Sequence, residues 1–426
     1  MMKQTVKIAE SPAGLSDAEL FAALDQAIAP ALPSLRKVLL IPPDFTRFHS
    51  GAGKITAHLY ERLSPTCRVD ILPALGTHVA MPDWELRAMF GETIPLERFI
   101  VHNWRTDVVK LGEVPQDFVT EVSEGLVKEA IPVEVNRLLV DPSYDLILSI
   151  GQVVPHEVVG MANYGKNLFV GCGGRAMINA SHMLGAFYGL ERIMGRDFSP
   201  VRKVFDYAEA HFLPQIPLCY ILTVTTAPEG DIQMHGLFIG RERALFEQAV
   251  ALSQQKNLTF VDAPLKKVVV YLDPQEFKST WLGNKAVYRT RMAMADGGEL
   301  LVLAPGVERF GEDADIDRLI RKYGYCGREQ VLALVQTNDD LKNNLSAAAH
   351  LIHGSSDGRF AITYCTQKVG EGEVRGVNFG YLPYEAVAAR YDPHALKDGF
   401  NTLADGEEVY FISNPALGLW ADKGKF

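Results

Sequence analysis

Ionisable side chains follow each of four predicted strands in the first half of the 426-residue chain. Asp44 and Arg47 come after the first strand, His78 after the second, His102 after the third and His156 after the fourth. In an open parallel sheet, ligands bind outside the carboxyl ends of the strands. We therefore expect these side chains to converge on one crevice, because several convergent ionisable groups indicate a site.

Two of these residues, His78 and His156, suit acid and base chemistry. Imidazole titrates near neutral pH, so a histidine can take up or release a proton without extreme tuning. If the two histidines face one substrate carbon from opposite sides, one can remove a proton while the other supplies one. Inversion of a stereocentre requires this arrangement, and that geometry is a hypothesis.

A glycine-rich segment, residues 164–174, follows the fourth strand and contains Lys166. Glycine lets the backbone approach a ligand closely, and a helix predicted from about Arg175 would present its N-terminus to a phosphate. Lys166 is then either a point charge for a phosphate or a covalent attachment point. The run Gly171-Cys172-Gly173-Gly174-Arg175-Ala176 also fits the G-x-G-x-x-A dinucleotide fingerprint, although it lies late in the strand order.

Three further histidines carry weaker signals. His182 lies in the helix predicted after the glycine-rich segment, and taken alone it indicates a helix-surface residue rather than a metal ligand. His350 and His353 are spaced to chelate a metal on one helix face, but no nearby carboxylate completes the set. Trp281 is predicted to be a core residue or the wall of a pocket.

Short apolar runs alternate with amphipathic segments along the chain, which favours parallel sheets covered by helices on both faces. In the first half we predict strands at 37–41, 69–72, 99–102 and 144–150, helices at 56–63 and 83–89, and a hairpin of 218–225 with 233–239. In the second half we predict strands at 268–272, 299–303, 360–364 and 409–412, and helices at 281–295 and across 313–350.

The predicted fold class is α/β, with two α/β domains, parallel-type sheets and an active-site cleft between them. The segment Asp262-Ala263-Pro264 interrupts the pattern, so the domains are expected at 1–262 and 263–408. The C-terminal segment, about 409–426, is expected to pack back on the first domain, because chain ends often lie close together.

Composition limits the classes of function. The chain has 42 Lys and Arg against 52 Asp and Glu, and a net charge of −10 argues against nucleic-acid binding. Five scattered cysteines without a C-x-x-C pair indicate a reducing compartment and no thiolate zinc site. Neither a signal region nor a long apolar span is evident. We expect a cytoplasmic protein that acts on a small molecule, with neither nucleic acid nor membrane as a partner.

Several short motifs occur in a fixed order along the chain. They are Asp44-Phe45-Thr46-Arg47, Gly76-Thr77-His78, His156 followed ten positions on by Lys166, Lys166 followed 16 positions on by His182, and Asn284-Lys285. This ordered set resembles the nickel-dependent lactate racemase family. Each motif alone is a weak signal, whereas the order and the two intervals together are specific.

The resemblance implies a racemase or epimerase that inverts carbon 2 of a 2-hydroxy acid by hydride transfer to and from a cofactor. The cofactor is the nickel-pincer nucleotide, pyridinium-3-thioamide-5-thiocarboxylic acid mononucleotide, and the enzymes that make it are implied partners. Lys166 would hold it covalently, His182 would bind nickel, and His78 and His156 would be the paired acid and base catalysts. The other residues carried over are Asp44, Thr46, Arg47, Gly171, Gly173 and Gly174 for the cofactor, and Arg47, Trp281 and Lys285 for the substrate.

Two departures from the family lie on the substrate side, in the second domain. Leu282 stands where the lactate enzymes have a glutamine, and residues 339–354 contain no tryptophan where those enzymes place one against the cofactor. The cofactor-side residues are all present. The sequence therefore predicts a substrate larger than lactate, such as a sugar acid (an aldonate).

Alternative functions remain open. A nicotinamide-dependent 2-hydroxy acid dehydrogenase would explain the glycine-rich segment but leaves Lys166 and His182 unused. A non-catalytic nickel- or nucleotide-binding protein would explain those two residues but leaves His78 and His156 unexplained. A sugar-acid dehydratase would need a cluster of magnesium-binding carboxylates, and none is evident. The oligomeric state and the role of His102 are left open.

Overall fold

The computed structural model describes residues 2–416 and 418–426, which fall into two compact units. The first unit comprises the chain up to Tyr188 together with Ile193–Asn257. The second comprises Gly189–Arg192 together with Leu258–Phe426.

A six-stranded sheet forms the centre of the first unit. The described strands of this unit are β1 (Thr5–Ile8), β2 (Lys37–Ile41), β3 (Arg68–Ile71), β4 (Val108–Val114), β5 (Ile131–Asn136), β6 (Leu146–Gln152), β7 (Pro155–His156), β8 (Gly160–Met161), β9 (Leu218–Thr226) and β10 (Gln233–Gly240). The sheet has the order β1-β10-β9-β6-β2-β3. Strands β9, β6, β2 and β3 are parallel, and β10 and β1 extend the sheet in antiparallel fashion.

Both faces of this sheet are buried. The helices of the unit are α1 (Asp17–Ile28), α2 (Ala52–Leu63), α3 (Asp83–Phe90), α4 (Gln116–Val122), α5 (Arg175–Tyr188), α6 (Leu190–Ile193, across the unit boundary), α7 (Pro200–Phe212) and α8 (Arg243–Asn257). Val38 and Leu40 of β2 pack in a core with α1, α2 and α3, while Leu39 and Ile41 pack in a second core with α5, α7 and α8. A strand buried on both faces needs apolar residues at every position, which explains the uninterrupted apolar sequence of β2.

The second unit contains its own six-stranded sheet, ordered β15-β14-β13-β12-β17-β16. Its described strands are β11 (Leu258–Val261), β12 (Leu265–Tyr271), β13 (Met294–Ala304), β14 (Ala361–Thr366), β15 (Gly380–Pro383), β16 (Gly399–Thr402), β17 (Glu408–Ile412) and β18 (Leu419–Asp422). All neighbouring pairs of that sheet are parallel except β16 with β17. The helices are α9 (Thr280–Gly283), α10 (Lys285–Thr290), α11 (Ala314–Tyr323), α12 (Arg328–Thr337), α13 (Asp339–Lys342), α14 (Leu345–His353), α15 (Glu371–Gly376) and α16 (Tyr384–Ala388).

The α/β fold class with parallel-type sheets, predicted from the sequence, is confirmed. The strand predicted at 99–102 is wrong, because Phe99 forms an isolated bridge with Ile71 directly after a 3-10 helix at Leu96–Arg98. The sequence also missed the antiparallel hairpin of β4 and β5. The helix predicted at 281–295 ends at Thr290, and β13 begins at Met294.

The C-terminal segment lies in the second unit. Its strand β17 pairs with β12, and β18 pairs in parallel with β11. The prediction that residues 409–426 return to the first domain is therefore wrong. The same pairing draws β11 into the second unit, so the unit boundary falls at Asn257 and Leu258 instead of at residue 262.

Candidate active site

The carboxyl ends of β2 and β3 bring Asp44 and His78 together. Pro43 and Ala74 form a parallel bridge just beyond the two strands, which keeps the two chain segments side by side. Nδ1 of His78 lies 2.5 Å from Oδ2 of Asp44, and the Thr46 hydroxyl donates to Oδ1 at 2.5 Å. Because a carboxylate accepts hydrogen bonds, Nδ1 carries the proton and the lone pair of neutral His78 stands on Nε2.

The Asp44 carboxyl is buried, whereas the His78 side chain is 45% exposed. Burial alone would raise the pKa of Asp44. The charge and hydrogen bond of His78, the Thr46 hydroxyl and the charge of Lys166 outweigh burial, so the pKa lies below its ordinary value. Asp44 therefore stays ionised and stabilises an imidazolium on His78.

His156 is held very differently from His78. It is buried in the hairpin of β7 and β8, and the backbone N–H of Val158 donates to its Nδ1 at 3.1 Å. The proton of the neutral ring must therefore lie on Nε2. Burial, with the charges of Lys166, Arg47 and His182, lowers the pKa of His156 well below the ordinary histidine value, against the opposing effect of Glu157.

Lys166 directly follows a tight turn. Two residues of that turn, Asn163 and Tyr164, have left-handed backbone conformations with φ of 64° and 54°. Such conformations cost about 1–3 kcal/mol each and persist only where the surrounding structure holds them. Lys166 is thus displayed by a segment whose shape is set by tertiary contacts.

The protonated amine of Lys166 loses its proton more readily than an ordinary lysine does. Burial and the charge of Arg47 lower its pKa to about 8, in spite of the opposing charges of Glu157 and Asp44. A sizeable fraction of the amine is therefore neutral close to neutral pH. The neutral form is the one that can attack an electrophile.

His182 lies on α5, and one of its ring nitrogens is held by the helix backbone. Its Nδ1 lies 2.7 Å from the carbonyl oxygen of Ile178, and because a carbonyl only accepts, Nδ1 is the donor. The lone pair therefore stands on Nε2. Burial lowers the pKa of His182 and the charge of Lys166 lowers it further, which favours the neutral ring.

The structure brings most of the predicted N-terminal site residues into one charged cluster. Mutual electrostatic effects connect Asp44, Arg47, His78, His156, Lys166 and His182. Sequence reasoning missed two members, Glu157, whose Oε2 lies 3.8 Å from Nδ1 of His156, and Glu85, whose pKa is raised by burial and by Asp44. Glu157 follows His156 directly in the sequence, whereas nothing in the sequence singles out Glu85.

The three predicted cofactor glycines are packed against the protein itself. A Cβ atom would lie 2.6 Å from Cβ of Ala74 at Gly171, 1.9 Å from the Phe169 carbonyl oxygen at Gly173, and 2.3 Å from Oε2 of Glu134 at Gly174. Close packing therefore explains why these positions are glycine.

A carboxylate also occupies the start of α5. Oε2 of Glu134 accepts a hydrogen bond from the Ala176 amide at 3.0 Å. A carboxylate at a helix N-terminus takes the place of a phosphate and repels one. The helix start that the sequence predicted to bind a phosphate is therefore satisfied by the chain's own side chain, which also weakens the dinucleotide interpretation.

Replacing Gly173 with alanine is expected to lower the free energy of unfolding by about 3 kcal/mol, because the new methyl group would collide with backbone. Gly165→Ala is the matched control. Its Cβ would meet its nearest neighbour, in Phe205, at an ordinary 3.4 Å, so a change within about 0.5 kcal/mol is expected. Urea denaturation of both variants measures the difference, and equal stabilities would contradict the packing explanation.

His102 contacts the backbone of the glycine-rich segment. The ring is buried, its Nε2 lies 3.0 Å from the Gly173 carbonyl oxygen, and the Asn136 amide nitrogen lies 2.9 Å from Nδ1. Burial lowers the pKa of His102. These contacts give the residue a structural role at the back of the segment that carries Lys166.

In the second unit, the half-buried Trp281 stacks on His350 with ring centroids 4.3 Å apart. The Tyr325 hydroxyl lies 2.9 Å from Nε2 of His350, and the Tyr364 hydroxyl donates to Asn284 at 2.7 Å. These contacts fix the chain on both sides of Leu282. The Trp281 side chain is therefore held in place by its neighbours. The next helix begins at Lys285.

No group of three or more His, Cys, Asp or Glu side chains placed to hold a metal occurs within residues 2–416 and 418–426. Within the same described ranges, no helix is long and apolar enough to span a membrane.

Comparison with known proteins gives a consistent picture. Residues 17–192 match the family model described as the lactate racemase N-terminal domain. A crystal structure of a protein from Thermotoga maritima is 25% identical, with a TM-score of 0.82 over 97% of this chain and 100% of that chain. The lactate racemase apoprotein from Thermoanaerobacterium thermosaccharolyticum is 16% identical, with a TM-score of 0.68 over 92% of this chain and 91% of that chain, and supports the fold alone. No curated protein sequence matches.

The α/β fold and the similarity of residues 17–192 to the lactate racemase N-terminal domain support a function of the racemase or epimerase type, which is a class of isomerase.

Proposed function

We propose that this protein inverts carbon 2 of a 2-hydroxy acid and uses a nickel-pincer nucleotide bound through Lys166. The observation that carries the proposal is the unequal setting of the two histidines. His78 shares its Nδ1 proton with an ionised Asp44, and His156 is kept neutral by burial.

His78 is suited to act as the base. Its Nε2 lone pair can take the proton of the substrate hydroxyl, and the Asp44 carboxylate stabilises the resulting imidazolium. His156 can act as the acid once it is an imidazolium, because its Nε2 proton then passes to the substrate oxygen and leaves a neutral ring. The imidazolium carries its second proton on Nδ1, which breaks the hydrogen bond from the Val158 amide. The opposite direction needs the roles of the two histidines reversed.

The residues present fit the cofactor that the family implies. Lys166 offers an amine with a pKa of about 8, which suits a thioamide link, and His182 offers Nε2 as one imidazole donor for nickel. The chemistry that this group supplies when bound is hydride transfer at carbon 2. All proton transfers fall to the chain's own histidines.

Arg47 is the proposed anion-binding residue of the cluster. Its charge acts on both His156 and Lys166. A guanidinium binds a carboxylate or phosphate through two parallel hydrogen bonds. We assign it the substrate carboxylate or the cofactor phosphate, since Glu134 already occupies the start of α5.

The proposed substrate is larger than lactate, with aldonates as the leading candidates. Leu282 stands where the lactate enzymes have a glutamine, so the substrate side of this chain differs from theirs. Protein from a host that makes the cofactor should be incubated with a panel of single-enantiomer 2-hydroxy acids, including lactate, malate and gluconate. Chromatography of the carbon-2 epimers identifies the substrate, and conversion of none of them would count against the proposal.

His182→Ala is expected to keep the organic adduct on Lys166 but to lose most of the bound nickel. One donor disappears while the covalent link remains, and loss of one ligand contact weakens metal binding by at least the 10–100-fold typical of ligand-supporting residues. Elemental analysis and peptide mass spectrometry on the same sample measure both quantities. His211→Ala, at an exposed histidine of α7, is the control. Full nickel retention in His182→Ala would rule His182 out as the ligand.

A further inference from the structure

The turn before Lys166 is not favoured by its own sequence. Two successive left-handed residues are unusual, and a tyrosine in that conformation is a steric outlier. Asn163 contributes a local contact, because its side-chain oxygen accepts the Tyr164 amide at 2.6 Å. The turn is also closed locally by the Lys166 amide, which donates to the Asn163 carbonyl at 3.2 Å, and by the Asn167 amide, which donates to the Tyr164 carbonyl at 3.0 Å. These local contacts do not remove the cost of two successive left-handed residues, so contacts from elsewhere contribute to holding the turn.

A buried arginine supplies those contacts. Arg202 on α7 is fully buried, and its Nη2 donates to the carbonyl of Met161 at 2.7 Å and to the carbonyl of Asn163 at 3.2 Å. Within the described residues, its Nε and Nη1 have no hydrogen-bond partner. Burying an incompletely paired cation is costly. The two carbonyl contacts are the feature that an apolar residue could not reproduce.

The side chain of Tyr164 fixes the same turn from the other side. Its ring packs 4.2 Å from the Tyr220 ring and stacks 4.9 Å from the Phe246 ring. Its hydroxyl donates to the carbonyl of Arg241 at 2.9 Å. The Arg202 guanidinium lies 4.5 Å from the Phe246 ring centroid, so Arg202 and Tyr164 pack against a common aromatic surface.

We propose that Arg202 is a positioning residue for Lys166, holding the Met161 and Asn163 carbonyls so that the turn presents the Lys166 amine to the charged cluster. The consequence for cofactor attachment rests on the function proposed above. Lys166 interacts electrostatically with six charged or titratable groups, and each interaction shifts a pKa. These groups are Arg47, Glu157, Asp44, Arg202, His156 and His182. Arg202 thus acts on the amine both through the backbone and through its charge.

The test is the pH profile of Lys166 acetylation by acetic anhydride in the protein without cofactor, measured by peptide mass spectrometry against the exposed Lys266 as internal reference. In the native protein the midpoint is expected near pH 8. In Arg202→Met it should rise by about one pH unit or more, because the amine gains access to water and loses a neighbouring cation. Arg202→Lys, which keeps the charge, should show an intermediate midpoint.

Val204→Ala is the matched control, since Val204 is buried on the same helix but holds no carbonyl of the turn. Its midpoint should equal that of the native protein even if its stability falls. A folded Arg202→Met variant with the native midpoint would overturn the proposal. If Arg202→Met does not fold, Arg202→Lys decides, because it keeps the charge but cannot reproduce both guanidinium contacts and must also raise the midpoint. An unmoved midpoint in Arg202→Lys would overturn the proposal as well.

Failure of the proposed function gives a different result. In that case native protein from a host that makes the cofactor would carry no adduct on Lys166. The acetylation midpoints of the variants would be unaffected, so the positioning role of Arg202 would still stand.

Discussion

Replacing Lys166 with alanine is expected to abolish turnover and to remove the mass adduct from the peptide that contains residue 166. The amine with a pKa of about 8 is the nucleophile to which we assign the covalent link. Lys166→Arg should fail equally, because a guanidinium stays protonated at any accessible pH and cannot form the thioamide. Peptide mass spectrometry of protein from a host that makes the cofactor is the measurement.

The control for this pair of variants is Lys203→Ala, which removes an exposed lysine from α7 in the same unit. It should retain the adduct and full turnover. An adduct on a lysine other than Lys166, or one that persists in Lys166→Ala, would refute the assignment of the covalent link.

The substitution of either His78 or His156 by alanine should slow turnover in both directions by about 10²–10⁴-fold, the usual contribution of general acid and base catalysis. Each direction passes through both proton transfers, so neither histidine can be spared. The double variant should lose much less than the product of the two single losses, because residues that act as a unit are not additive. Initial rates measured from each enantiomer provide the test.

Cofactor retention separates catalysis from binding in these variants. His78→Ala should keep the Lys166 adduct, since His78 lies against Asp44 and takes no part in attachment. His58→Ala, a half-buried histidine paired with Asp25 on α1, serves as the matched control and should keep normal rates. Near-normal turnover in His78→Ala would make His78 structural and would turn the search for the partner of His156 to Glu85 or Lys285.

The strands and the fold class were predictable because a strand that is buried on both faces is apolar at nearly every position. The run at β2 is apolar at every position, and the polar residues directly after it mark the carboxyl end of the strand. Phe99 misled the prediction, since an apolar run after a 3-10 turn has the same composition as a strand but forms a single bridge. The C-terminal strands were misplaced because strand partners are chosen by long-range hydrogen bonding that the local sequence does not encode.

The sequence predicts those site residues that are marked by their order and spacing along the chain. It does not predict residues that reach the site through contacts between distant segments. The order of Asp44, His78, His156, Lys166 and His182 can be recognised from the sequence alone. The role of Glu134 could not be found in this way, because it reaches the start of α5 from β5, 42 residues earlier. The contacts of Arg202 with the Met161 and Asn163 carbonyls could not be predicted either, because they also join distant parts of the chain. In addition, an arginine within a helix usually indicates a solvent-exposed face.

The order of strands in the first sheet also constrains when the site can come into being during synthesis. Strand β6 lies between β2 and β9, and β9 does not end until Thr226. Lys166 lies between β6 and β9 along the chain, so its surroundings are incomplete while β9 is still inside the ribosome. A nascent lysine lacking those surroundings has the ordinary basicity of its type and is protonated. The covalent attachment that we propose for Lys166 would therefore take place on the finished first unit and not on the growing chain.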